Sequence, residues 1–273
     1  MSSPMDFDPK NLIAARSLDG IFTDEMNYYI THAYCVQGYC ELDYNGENVL
    51  LEAGSVMILM ANRMVNSIRP SADFQVKVLY ISLSFMSTCT PHTSYGVRGG
   101  LFMYVNPVMK LEGEESRICE RDFDGIIWRL ANPLVHFQGD VMIAVTQTLF
   151  VDFYEFHTRI YGEGKVSAVS AGVVQKFIEM LQRGDYQQHR DLAYYADVLC
   201  VTPKYLSEVC RDMTGFAANF WIARFTTIEL SRLLRDKSLT LTEIADRFGF
   251  QSASHFSRYV QANLGAPPSS FRS

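Results

Sequence analysis

The sequence predicts an α+β protein in which an amino-terminal β-barrel or jelly roll and a pair of helices precede an all-α domain with two helix-turn-helix motifs. Three features of the 273 residues support this prediction. Short apolar segments alternate with turns in the first half, helical periodicity begins near residue 113, and one pattern occurs twice near the end. That pattern reads TPKYLSEVCRDMTG at 202–215 and SASHFSRYVQANLG at 252–265.

Strand-like segments dominate residues 27–85. The dipeptide Asn45-Gly46 is the strongest short hairpin signal, because both residues tolerate positive φ, and a second turn is expected at 52–55. Several short strands with turns at regular intervals are typical of a small barrel or jelly roll. The predicted strands are 36–44, 47–51, 56–60 and 74–83.

The hairpin segment NGENVLLEAGSVMILMANRMVNSI resembles that of a cupin-type sensor domain. A metal-binding cupin would need histidines and a carboxylate grouped around this segment. Residues 63–66 instead read Arg-Met-Val-Asn, and His32 and His92 lie far apart. We therefore expect no metal, no cofactor and no cupin enzyme, although such an enzyme fused to a DNA-binding tail is one alternative reading of the chain.

A barrel of this kind could still enclose an organic ligand. The candidate ligand-binding residues are the aromatic side chains of the first predicted strands. The alternative is that they are ordinary strand residues, half in the core and half at the surface. The candidates are Tyr28, Tyr29, His32, Tyr34 and Tyr39.

Helical spacing of apolar residues marks two helices within 113–161, separated by Asn132-Pro133. One alternative is that this pair dimerises the protein, and the other is that it covers the barrel. A polar, glycine-containing segment at 161–167 is the best linker candidate. The predicted domains are 1–165, for ligand sensing and dimerisation, and 166–273, for DNA binding.

Helix signals are dense after residue 166. Thr202 and Pro203 form a strong helix start, and Thr240 with Glu243 forms a capping box. The turn of the first motif has Cys200 where glycine would be easier, so we expect some strain there. Residues 217–235 are predicted to form a spacer helix of about 27 Å, close to the roughly 34 Å repeat of the major groove.

The segment LTEIADRFGFQSASHFSRYVQANLGAPPSSFR is similar to the carboxyl-terminal signature of the AraC/XylS family of bacterial transcription regulators. The resemblance covers residues 170–273 and implies promoter DNA as the partner. The sequence departs from the family pattern at 216–218 and 260–263, where fewer phosphate contacts are expected.

The predicted DNA-binding residues lie on the amino-terminal turns and outer faces of the two reading helices. Each could contact a base edge, a phosphate or only solvent. In the first motif they are Pro203, Lys204, Ser207, Glu208 and Arg211. In the second they are Gln251, Ala253, Ser254, His255, Ser257 and Arg258.

Charge is divided unequally along the chain. Residues 166–273 carry 12 Lys and Arg against 10 Asp and Glu, a net charge of +2, whereas residues 1–165 carry 12 against 20, a net charge of −8. DNA binding should therefore depend on specific side-chain contacts and on dimerisation rather than on net charge.

The remaining expectations concern partners and location. We expect a homodimer with a small-molecule effector, with RNA polymerase as a further candidate partner. The alternative is a regulator that acts only through dimerisation or a protein partner. Six scattered cysteines and no signal or membrane segment favour the bacterial cytoplasm. No catalytic nucleophile–base pair and no phosphate-binding loop are found, so no enzyme is expected.

Overall fold

The computed structural model describes residues 7–44, 46–91, 99–100, 102–104, 106–162 and 167–272. The chain divides into two compact units, Met1–Glu163 and Gly164–Ser273. Three features of the sequence lie outside the described residues: His92, Asn45 of the predicted hairpin turn, and residues 163–166 of the predicted linker.

The first unit contains two antiparallel sheets. One sheet has five strands in the order β1-β7-β2-β5-β8, and the other has three in the order β4-β3-β6. A short helix, α1 (Leu83–Cys89), follows β7. The strands are β1 (Leu12–Ala15), β2 (Tyr29–Gln37), β3 (Tyr39–Tyr44), β4 (Glu47–Glu52), β5 (Ser55–Leu59), β6 (Val65–Pro70), β7 (Gln75–Ser82) and β8 (Val108–Lys110).

The predicted hairpin is confirmed, since Tyr44 pairs with Glu47 across a two-residue connection. The predicted strand 36–44 was wrong in one respect, because Gly38 divides it into β2 and β3. Gly38 has a φ of +69°, and a Cβ there would collide with the side chains of Ser71 and Asp73. The strands β1, β6 and β8 and the helix α1 were not predicted, because their segments are short and lack a clear period.

The strand β2 is covered on both faces. From Tyr29 to Cys35 every residue is buried, which an antiparallel strand with one solvated face would not show. Ile30 and Tyr34 point into a cluster shared with two long helices. Alternate residues such as Ala33 face the opposite side, where β4 contacts β2 and β5.

Those two long helices are α2 (Glu114–Ala131) and α3 (Gln138–Tyr161). Their buried residues, including Phe123 and Leu149, join the five-stranded sheet in one core. The helices therefore cover the sheet, as one of the two sequence alternatives proposed. Within the described residues, no helix is both long and apolar enough to cross a membrane.

The second unit is helical. It contains α4 (Ala168–Arg183), α5 (Leu192–Val198), α6 (Pro203–Thr214), α7 (Ala218–Arg235), α8 (Leu241–Arg247) and α9 (Ala253–Leu264). Gly184 ends α4 with a φ of 98°, the left-handed conformation that glycine adopts without steric cost. The α+β class and the two helix-turn-helix motifs are thus confirmed.

Candidate nucleic-acid interface

The first motif consists of α5, a tight turn and α6. Thr202 caps α6, because its hydroxyl accepts a hydrogen bond of 3.1 Å from the backbone N–H of Tyr205. Cys200 occupies the turn with a φ of 56°, alone among the described non-glycine residues in having positive φ. This conformation costs energy because the Cβ crowds the backbone, as the sequence suggested.

The second motif consists of α8, its turn and α9. Thr240 and Glu243 form the predicted capping box, with bonds of 2.6 Å and 3.1 Å between side chain and backbone. Gly249 supplies the turn with a φ of 59°. Ser252 then caps α9 by accepting a 3.1 Å bond from the N–H of His255. Both motifs consist of a helix, a tight turn and a second helix capped by a hydroxyl side chain, but they differ in the residue at the turn.

The helix α7 holds both motifs, since it contacts α5, α6, α8 and α9. Trp221 is fully buried and donates a 3.0 Å hydrogen bond from Nε1 to the hydroxyl of Thr214 at the end of α6. Glu229 is buried on the same helix and is neutralised by Arg232, with a closest distance of 2.8 Å. The relative placement of the motifs is therefore set by packing on one helix.

A second connection between the motifs comes from the segment between α4 and α5. Gln188 donates a 2.9 Å hydrogen bond from Nε2 to the carbonyl of Arg247. Arg190 donates to the carbonyl of Phe248, and its guanidinium lies 4.3 Å from the ring centre of Phe250. Arg190 thus links the segment that precedes the first motif to the turn of the second motif. Sequence reasoning missed this contact, because Arg190 and Phe248 are 58 positions apart.

The predicted contact residues of α6 lie on its outer side. Leu206 and Val209 are buried, Ser207 is half-buried, and Tyr205 is held by its hydroxyl, 3.2 Å from that of Ser170. The exposed members of the predicted set are Pro203, Lys204, Glu208 and Arg211.

The predicted set in the second motif is exposed throughout, and Phe256 and Val260 form the buried side of α9. Tyr259 is half-buried beside Phe250. The exposed residues are Gln251, Ala253, Ser254, His255, Ser257 and Arg258.

Electrostatics differ between the two helices. In α6, Lys204 Nζ lies 3.9 Å from Glu208 Oε1, an exposed pair that contributes little stability and can exchange for phosphate. In α9, the cation on the outer face is Arg258, whose Nε donates a 3.4 Å bond to the carbonyl of Ser254. The amino-terminal N–H groups of both helices also favour a nearby anion.

The ligand candidates of the first unit have different surroundings. Tyr28 and Tyr39 are exposed, whereas Tyr29 donates a 2.7 Å bond to the carbonyl of Lys10. Tyr34 is buried with its hydroxyl 2.8 Å from that of Ser116. His32 is the one member of this set that borders a cavity. The part of the chain that the structure describes contains no group of His, Cys, Asp and Glu able to hold a metal ion.

Comparisons with known proteins find similarity in the carboxyl-terminal part of the chain. Residues 195–273 match the family described as "Helix-turn-helix domain". A curated relative, the uncharacterized HTH-type transcriptional regulator YobQ of Bacillus subtilis (strain 168), is 33% identical over 70 residues. That match spans 26% of this chain and 29% of the relative.

Solved structures resemble the chain over most of its length at low identity. A structure of ToxT from Vibrio cholerae is 14% identical, with a TM-score of 0.48 and 89% of each chain covered. A ToxT structure bound to an unsaturated fatty acid is 16% identical, with a TM-score of 0.45 and coverage of 96% of this chain and 93% of that one. The AraC-like transcriptional activator CuxR is 11% identical, with a TM-score of 0.40 and coverage of 85% and 79%.

Proposed function

We propose that this chain, whose residues 195–273 belong to the helix-turn-helix domain family, is a sequence-specific DNA-binding transcription regulator of the AraC/XylS type. The observation that carries the proposal is the repetition itself. Two capped helices, α6 and α9, each present an exposed polar outer face, and both motifs pack on α7. This is the arrangement needed to place two helices in successive major grooves.

DNA binding can be tested without knowing the operator. Duplexes selected from a random pool by the full chain are assayed by mobility shift over a range of salt concentrations. We expect one enriched motif with two half-sites, and affinity that falls as salt rises. A variant with Arg211→Ala and Arg258→Ala should lose the enrichment, while Lys176→Ala, an exposed change on α4, should keep it. Failure to enrich any motif would contradict the proposal.

The first unit is proposed to dimerise through the α2–α3 pair. Large apolar side chains remain exposed here, among them Trp128 on α2 and Val151 on α3, and a second copy of the chain is the proposed occupant. The connection between the helices adds Leu134, Val135 and Phe137.

Control by a small-molecule effector is the remaining part of the proposal, and its support is the cavity beside His32. The ToxT structure that holds a fatty acid shows only what that protein binds. Regulation through dimerisation or a protein partner, without an effector, is the competing proposal. A screen of neutral metabolites by thermal shift separates the two, because only an effector would raise the melting temperature. We assign the chain no catalytic role.

A further inference from the structure

A cavity of about 60 Å³ lies in the first unit, where β2 and β5 face α3. It is outside the space between the two sheets, because Ile58 and His32 belong to the sheet face that packs against the helices. Phe150, Phe153 and the following turn of α3 close one side. The cavity is therefore a helix–sheet site rather than the barrel interior that the sequence suggested.

Among the residues that the structure describes, none that lines the cavity is a Lys, Arg, Asp or Glu. Four methionines contribute to it, and methionine adapts its shape more readily than branched side chains do. At roughly 30 Å³ per water molecule, the volume corresponds to about two waters. A larger guest would therefore have to displace flexible thioethers. The methionines are Met60, Met86, Met103 and Met109.

His32 is the unusual member of this wall. It is 1% exposed and stacks on Phe150 and Phe153, with ring centres 5.6 Å and 5.8 Å away. Burial lowers the pKa of its imidazole to about 3, so the ring is neutral at physiological pH. Its Nδ1 has no hydrogen-bond partner within 3.5 Å among the described residues, although the backbone of Ile30 partly offsets the effect of burial on the pKa. A buried polar atom without a partner is costly, and a ligand that satisfies it gains that energy.

We propose that this cavity binds a small, neutral and largely apolar molecule whose single hydroxyl group hydrogen-bonds to Nδ1 of His32. A hydroxyl both donates and accepts, so it suits either tautomer of the neutral ring. A carboxylate or an amine would be buried without an opposite charge, at a much higher cost. A largely apolar wall with a few polar groups also fixes the orientation of a small ligand, and Thr90, Tyr154 and His157 line this cavity beside His32.

The cavity is also connected to the end of α3. His157 borders it, and the rings of His157 and Tyr161 pack on Phe102, with centres 5.1 Å and 4.1 Å from it. Tyr161 is the last residue of α3, just before the first unit ends at Glu163. A ligand that displaces Met103 would move the segment carrying Phe102. Resting on the proposed function, we infer that occupancy changes the last turn of α3 and thereby DNA affinity.

Phenol and toluene test the binding site, because they differ only by a hydroxyl in place of a methyl group. Titration calorimetry on the full chain should show phenol binding about tenfold tighter than toluene, the value of one satisfied buried hydrogen bond. Benzoate should not bind. The preference should disappear in His32→Leu and in His32→Phe, which keeps the ring stack, and it should persist in the exposed His136→Leu.

Each result bears on one claim. No binding of phenol, equal binding of benzoate, or a preference that survives in both His32 variants would overturn the site. The regulatory step is read separately, as the affinity of the selected duplex with and without phenol. We expect a change in the wild type and none in the His32 variants. Phenol binding without that change would overturn the coupling alone, whereas failure of the chain to bind any duplex would overturn the proposed function and leave the calorimetry valid.

Discussion

Single residues decide how the two motifs begin and turn, and which side chains they expose. The starts of α6 and α9 are each set by one hydroxyl, of Thr202 and Ser252. The turns differ, because Cys200 adopts positive φ with a side chain whereas Gly249 does so without one. The two motifs thus differ at the turn, and they also differ in the exposed side chains of their reading helices.

The strain at Cys200 is measurable. Cys200→Gly should raise the free energy of unfolding of the second unit by about 1 kcal/mol, because glycine tolerates the left-handed conformation. Urea denaturation followed by circular dichroism measures this change. Cys200→Ala keeps the Cβ and should give no such gain. An equal gain in both variants would mean that the thiol, and not the backbone, is unfavourable.

The two reading helices should contribute unequally to DNA binding. Arg211→Ala should weaken the selected duplex by about ten- to a hundredfold if it contacts a base, and Lys204→Ala should reduce the salt slope by about one. Ser254→Ala removes only a small hydroxyl and should cost a few-fold. Mobility shifts at several salt concentrations provide the measurement. Equal losses at all three positions would contradict the asymmetry.

At the scale of elements, the question is what holds helices together across long stretches of sequence. In the second unit α7 packs on both motifs, and Arg190 adds a polar and cation–π contact to the second. In the first unit, burial and the neighbouring carboxyl group of Asp152 on α3 raise the pKa of Asp122 on α2. Each contact provides a prediction.

Arg190→Gln should loosen the second motif, because glutamine can neither cover the ring of Phe250 nor reach the carbonyl of Phe248. A footprint on the selected duplex should then lose protection over the half-site of the second motif and keep it over the first. Lys176→Gln removes an exposed positive charge from α4 and serves as the control. Uniform weakening over both half-sites would show that Arg190 acts on the whole unit.

Asp122 should make stability depend on pH. Burial, the hydrogen bond with Asp152 and the charge of Asp152 raise the pKa of the Asp122 carboxyl to about 6. The folded state therefore holds a proton that the unfolded chain has lost, and stability should fall as pH rises from about 4 to about 6. Asp122→Asn should flatten this fall in denaturation curves, because the amide donates to Asp152 at every pH. Asp124→Asn, an exposed change on the same helix, should leave this fall in stability with rising pH unchanged.

At the scale of the whole molecule, an acidic first half is joined to a nearly neutral second half, for which DNA binding is proposed. A net charge of +2 provides little non-specific attraction, so affinity should depend on two copies binding together. We propose that the exposed apolar side chains of α2 and α3 bind that second copy.

Trp128→Glu should therefore convert a dimer into a monomer. The side chain is 61% exposed in the single chain, so the substitution should not disturb the fold. Sedimentation at micromolar concentration measures the oligomeric state, and DNA affinity should fall in parallel. Leu50→Glu, at an exposed apolar position on β4, should change neither. A wild-type chain that sediments as a monomer would refute the proposed interface.

The sequence by itself determined where most helices begin and end, and therefore the two motifs. Caps such as Thr202 and the pair Thr240 and Glu243 act over three or four residues, so their effect can be read from the order of side chains. The outer faces of α6 and α9 followed from helical periodicity in the same way.

Only the tertiary structure decided which surfaces meet. The cover of the five-stranded sheet by α2 and α3, the cavity beside His32 and the contact of Arg190 with Phe248 each join residues far apart in sequence. Periodicity shows that a side chain will be buried but not against what, because many partners satisfy the same apolar face. The particular partner is fixed by packing of the whole unit. The cavity beside His32 and the unpaired Nδ1 of its ring arise only from that packing.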